Sequence, residues 1–134
     1  MIDFNKILKD NTYGVLATLD GNRPRTRVFQ YLFSDDNKVY FGTTNDKPVY
    51  AQIQRNPFVS FCSYSKDFSP VLSVSGKAYF VDDITLKARA MEEYPFIKKM
   101  YTSPDNPVFE IFYVDVEEIE TYSFEEGPRK YKLK

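Results

Sequence analysis

The sequence predicts a mainly β, α+β fold: a small six-stranded antiparallel barrel with two main helices. Three observations carry this. Six runs rich in Val, Ile, Tyr, Phe and Thr stand between turn signals. Short turns join the early runs and forbid parallel pairing there. Neither a GxGxxG nor a P-loop pattern is present, which removes the Rossmann and Walker readings. With 134 residues and no repeat or linker, residues 1–134 are expected to form a single domain.

In chain order, residues 2–9 carry apolar side chains at 4, 7 and 8, the spacing of a short amphipathic helix. "YGVLATL" (13–19) reads as a buried strand, and "DGNRP" (20–24) as a turn opened by the Asp-Gly hairpin signal. Residues 25–33 form the second strand, "SDDNK" the next turn and "VYFGTT" (39–44) the third strand of a meander. In "NDKPVYAQIQRNP" (45–57) the period becomes helical. Asn45 or Asp46 is the expected cap, Pro48 suits the first turn, Val49 and Ile53 face the core, and Asn56-Pro57 stops the helix. "FVSFCSY" (58–64) and "VLSVSGKAYFV" (71–81) are the fourth and fifth strands. Asp82 or Asp83 caps a helix over 84–94, Pro95 breaks it, and "FIKKMY" (96–101) adds a further turn or two. A long, bent strand over 108–124 follows the loop "SPDNP", and from about residue 125 the tail "EEGPRKYKLK" is polar and expected to be partly loose.

Composition excludes several function classes. The chain has no histidine and one cysteine, Cys62. Histidine-based nucleophilic catalysis, histidine-ligated zinc, iron and haem sites, and thiolate clusters within one chain are therefore out. A net charge of −1, from 18 basic and 19 acidic residues, argues against coating nucleic acid or an anionic membrane. The lone cysteine, the charged first residues and the lack of a long apolar run fit a cytoplasmic protein with no signal peptide and no membrane span. Cys62, next to Phe61 on a strand, reads as a buried, inert core residue. Acidic residues 115, 117, 118 and 120 read as the solvated edge of the last strand, and Lys98 and Lys99 as a solvated face.

Three features can carry chemistry. Strand alternation puts Arg25, Arg27, Phe29 and Tyr31 on one face, a basic end in line with aromatic rings. Guanidinium groups pair bidentately with phosphate oxygens, so this face suits a ligand with a phosphate and a flat ring; it equally suits a strand end pairing with acids across the sheet. Thr43 and Thr44 end a strand just before a helix start, where free N–H groups favour anions. Lys47 in that first turn opposes the dipole unless an anion offsets it, or else it is a solvated lysine costing a few tenths of a kcal/mol. Gly42, inside a strand, marks either a close approach or a bulge. The 11 Tyr and 12 Phe are mostly core, with some left to line an interface or stack on a flat ligand.

The order "G-x-x-R-x-R…F", then "VYFGTT…K…QI…NP", then a strand and "VSGKA", resembles the pyridoxamine 5′-phosphate oxidase-like split-barrel flavoproteins. The small bacterial nitroimidazole-resistance-like and general-stress-like members are nearest in pattern, over roughly residues 13–120. The resemblance implies a six-stranded split β-barrel that forms a homodimer and binds FMN in grooves at the subunit interface. It implies that the strand 27–32 runs along the flavin, with Arg27 near the phosphate and backbone groups of Val28, Phe29 and Gln30 near the ring. Thr43 and Thr44 would meet phosphate or ribityl oxygens beside Gly42. Lys47 matches the family lysine that binds the phosphate, and Arg25 is a second phosphate ligand.

The departures narrow the function. The chain ends "GPRKYKLK", without the Arg/His segment that holds the substrate phosphate in true pyridoxamine phosphate oxidases, and "PVLSVSG" lacks their glutamine. Oxidation of vitamin B6 is therefore not expected. The haem-handling and nitroimidazole-resistance relatives rely on histidine, which is absent. What remains is an FMN-dependent oxidoreductase, reduced by NAD(P)H and oxidised by a small-molecule acceptor such as a quinone or nitro compound. The alternatives are a non-catalytic flavin carrier, sensor or stress protein, and a deazaflavin-using reductase; FAD is the other alternative cofactor.

Overall fold

The computed structural model describes residues 2–134. Its elements run α1 (Phe4–Asp10), β1 (Tyr13–Asp20), β2 (Arg23–Gln30), β3 (Phe33–Asp35), β4 (Lys38–Thr44), α2 (Pro48–Arg55), β5 (Phe58–Tyr64) and β6 (Val71–Val81). They continue with α3 (Ile84–Glu93), α4 (Pro95–Tyr101), β7 (Phe109–Ser123) and β8 (Gly127–Lys132). All pairings are antiparallel, in the order β2-β1-β5-β6-β7-β4-β3, with β8 also on β7. The sheet does not close, as a split barrel requires. No helix among the described residues is long and apolar enough to cross a membrane.

All six expected strands are present, and two short ones join them. The expected strand 25–33 breaks after Gln30, and Phe33–Asp35 pairs with β4 instead. The first three expected strands therefore do not form a meander: β2 pairs only with β1, and β4 lies across the sheet on β7. Pro24 tolerates its place in β2 because an edge strand needs only one set of backbone bonds. A turn forms where the Asp-Gly signal stands, but it is tighter than residues 20–24: Asp20 pairs with Arg23, so Gly21, at φ +63°, and Asn22 make the loop and β2 starts at Arg23 rather than Arg25.

The tail is not loose. It forms β8, and Tyr131 and Leu133 pack on the main core. This also corrects the reading of β7 as a solvated edge. β4 flanks its first half and β8 its second, on the side opposite β6, so its acids face lysines: Asp115 pairs with Lys134, and Glu118 with Lys130 at 3.1 Å. The handover from β4 to β8 coincides with a bulge, where Gly76 sits opposite Val116 and Ser75 opposite Glu118. A Cβ on Gly76 would lie 2.0 Å from the Asp115 carbonyl oxygen, so only glycine permits this approach.

Alternation along β4 and β7 builds two cores. Val39, Phe41, Phe112 and Val114 face the barrel interior, where Phe41 packs against Phe61 and Phe112. Tyr40, Phe109 and Ile111 face outward and are covered by Ala90, Met91 and Ile97 of α3 and α4. Val49 and Ile53 of α2 close the interior as the helical spacing predicts. Cys62 is half-buried rather than buried, because it points to the face opposite Phe61.

Candidate functional site

β2, the end of β4, the start of α2 and α4 enclose a cavity of about 770 Å³, within the usual size range of small-molecule sites. Eight of the sequence-predicted residues line it: Arg25, Arg27, Val28, Phe29, Gln30, Gly42, Thr43 and Lys47. Thr44 does not. It is buried, and its hydroxyl donates to Asp46 Oδ1 at 2.6 Å. That bond uses the carboxylate expected to cap α2. Lys47 takes the cap position instead, and no side chain caps the helix. Tyr31 also departs from its expected face. It lies beyond the end of β2, in the core, with its hydroxyl 2.8 Å from Ser34 Oγ.

One end of the cavity is cationic. Arg27 Nη1 donates to Thr18 Oγ1 at 2.8 Å and to the Leu16 carbonyl at 3.3 Å, and Nη2 donates to Gln52 Oε1 at 2.8 Å. Every one of these acceptors is neutral. Among the described residues Arg27 forms no ion pair, and its Nε–H has no acceptor. Partial burial lowers its pKa from the ordinary arginine value, and the side chain stays charged. Arg25 lines the same end, but Asp20 offsets it at 3.4 Å on an exposed surface. Lys47 stands exposed at the head of α2, with no carboxylate partner among the described residues. The first-turn N–H groups of α2 add the positive end of the helix dipole.

The other end is apolar: Phe96, Ile97, Met100 and Tyr101 of α4, with Leu32 and Phe109. Tyr101 stacks on Phe109 at 5.1 Å, and burial holds its phenol above the usual tyrosine range. Thr43 also lines the cavity, and its Oγ1 is buried with no hydrogen-bond partner among the described residues. An orphaned buried hydroxyl in a cavity wall is a point at which a ligand's polar atom is expected. Gly42 turns out to be a close approach, not a bulge: β4 pairs continuously with β7, and a Cβ there would meet Phe109 Cε1 at 3.1 Å. The open edge of β2 leaves backbone N–H and C=O groups unpaired along the cavity.

Sequence reasoning missed Thr18, Gln52 and the α4 wall. Gln52 carried a signal: it falls on the buried stripe of α2 with Val49 and Ile53, where an apolar residue is usual. The residues of α4 gave none, because their side of the cavity arises from packing of α4 beside β4.

A family model described as pyridoxamine 5′-phosphate oxidase matches residues 3–123. No curated protein matches the chain. Among solved structures, a NimC/NimA family protein from Clostridium acetobutylicum is 29% identical, with a TM-score of 0.84 over 96% of this chain and 88% of that one. General Stress Protein 26 from Bacillus anthracis is 22% identical, with a TM-score of 0.79 over 96% and 94%. A pyridoxamine 5′-phosphate oxidase-related, FMN-binding protein from Nostoc punctiforme is 20% identical, with a TM-score of 0.65 over 97% and 91%. The last two likenesses speak for the fold alone.

Proposed function

Because this chain belongs to the pyridoxamine 5′-phosphate oxidase family, we propose that it binds FMN in the cavity and acts as a flavin-dependent oxidoreductase. The observation that carries the reading is Arg27: a guanidinium held by neutral acceptors, turned to a cavity, with no carboxylate among the described residues to balance it. Arg27, Lys47 and, more weakly, Arg25 would hold the phosphate. Thr43 Oγ1 would pair with a ribityl or phosphate oxygen. The apolar wall and the free edge of β2 at Val28, Phe29 and Gln30 would take the ring, apolar side chains on its faces and backbone groups on its polar rim.

The flavin would supply the electron or hydride transfer, and the chain would bind, orient and shield it. A nicotinamide nucleotide is the reductant in this reading, and a small-molecule acceptor the oxidant. A second copy of the chain would complete the site. Val28 is 71% exposed and Met100 59%, with Tyr13 and Phe96 also open to solvent around the same cavity. Apolar side chains so placed suit an isologous dimer interface.

A second reading, a flavin carrier or sensor without turnover, draws support from the lining. Its one carboxylate, Asp20, is engaged with Arg25, which leaves Lys47 and the phenols of Tyr13 and Tyr101 as the titratable groups of the lining that could serve a substrate proton. The spectrum and mass of the cofactor released from purified protein test the flavin assignment and separate FMN from FAD or a deazaflavin. Steady-state NAD(P)H oxidation with a panel of quinone and nitro acceptors tests the oxidoreductase reading. Turnover rules out the carrier, whereas tight flavin binding without turnover rules out the enzyme.

A further inference from the structure

Gln52 occupies a position where a neutral side chain has a consequence. It is 8% exposed, and its Oε1 accepts from Arg27 Nη2 at 2.8 Å and from Thr18 Oγ1 at 2.7 Å. Thr18, 2% exposed, in turn accepts from Arg27 Nη1. The three side chains form a closed triangle of hydrogen bonds across β1, β2 and α2. The triangle fixes the guanidinium from one side and leaves its Nε–H without an acceptor among the described residues. A glutamate at this position would accept the same bonds and neutralise the arginine.

We infer that Gln52 is a positioning residue that sets which ligands the cavity selects: it orients Arg27 while leaving its charge uncompensated, so the cavity prefers a phosphorylated ring ligand over the same ring without phosphate. This rests on the flavin reading above. The physics is preorganisation. A guanidinium already held by neutral acceptors loses little freedom when an anion docks on its open edge, and no protein carboxylate must be displaced first. With glutamate the orientation would survive and the field would not.

The test is the ratio of FMN to riboflavin affinity, measured by fluorescence titration of the intact protein. The wild-type ratio is expected to be about 100-fold or more, the size of two charge-assisted contacts from Arg27 and Lys47, and to shrink as salt is added. Gln52→Glu is expected to lower the ratio about tenfold, the share of Arg27, and to weaken its salt dependence, with riboflavin affinity held within about twofold. A merely structural role would move both affinities together. An unchanged ratio in Gln52→Glu overturns this inference and leaves the flavin reading standing. A wild type that binds neither ligand overturns the flavin reading and this inference with it, whereas one that binds both equally overturns this inference alone. Should Gln52→Glu fail to fold, Gln52→Met removes the clamp at similar length. A lower ratio is then expected, and an unchanged one overturns the inference.

Discussion

Arg27 Nη2 donates to Gln52 Oε1 at 2.8 Å, and no described carboxylate lies within ion-pair distance of the guanidinium. Since an unpaired charge in a partly buried place is costly, its retention at a cavity wall points to an anionic ligand. Arg27→Lys separates charge from geometry. The ammonium keeps the charge but loses the planar fork and its side-on edge. FMN affinity is expected to fall about tenfold, the loss of one charge-assisted hydrogen bond, while riboflavin affinity changes little. Equal losses for both ligands would show that Arg27 serves the fold rather than a phosphate.

The bulge between β6 and β7 depends on glycine. Gly76→Ala would drive a Cβ into the Asp115 carbonyl at 2.0 Å. Backbone cannot rotate away as a side chain can, so a loss of about 3 kcal/mol or more is expected in urea unfolding. Gly21→Ala is the contrasting variant: its Cβ meets nothing, and only its φ of +63° opposes it. Its expected cost is about 1 kcal/mol.

Removing residues 125–134 deletes β8 and uncovers both core side chains and backbone. Tyr131 and Leu133 leave the main core, and Glu118–Ser123 of β7 lose their partner strand. A loss of about 2 kcal/mol or more is expected from the apolar area alone, with aggregation through the exposed edge. Thermal denaturation of the truncated chain checks this, and an unchanged transition would mean that β8 adds nothing.

Alkali should weaken the fold. Burial holds the phenols of Tyr31, Tyr94 and Tyr101 above the ordinary tyrosine range. As pH rises past about 10, the unfolded chain loses protons that the folded chain keeps, so stability falls with pH there. The contribution is full below the unfolded value and lost as pH climbs through the folded ones. Tyr94 also donates to the Leu32 carbonyl at 2.6 Å and the Tyr31 carbonyl at 3.1 Å. Tyr94→Phe is expected to cost about 1 kcal/mol near neutrality and to make the alkaline decline shallower. Urea unfolding at about pH 8 and about pH 10.5 measures both effects.

Local signals made much of this architecture legible. Pro48 at the head of α2, the Asp83 cap and the Pro95 break each act within a few residues, and each appears as read; the hairpin after Asp20 also forms, with a shorter loop than read. The part of the cavity lining that comes from β2, the end of β4 and Lys47 was also legible, because the sheet curls to bring β2 near β4. What was illegible depended on distant partners. The tail folds as β8 only because β7 extends past β4 and offers an edge. Tyr31 enters the core only because the chain turns after Gln30 to pair Phe33–Asp35 with β4. Thr44 was lost to a two-residue contact with Asp46, and that contact also took the expected cap from α2.

The most direct test is the binding of FMN and riboflavin to the wild type and to the double variant Arg27→Ala/Lys47→Ala. The account predicts that the wild type prefers FMN, and that the double variant loses about 100-fold in FMN affinity or more, two charge-assisted contacts together, while keeping its riboflavin affinity. A double variant that binds FMN as tightly as the wild type would contradict it.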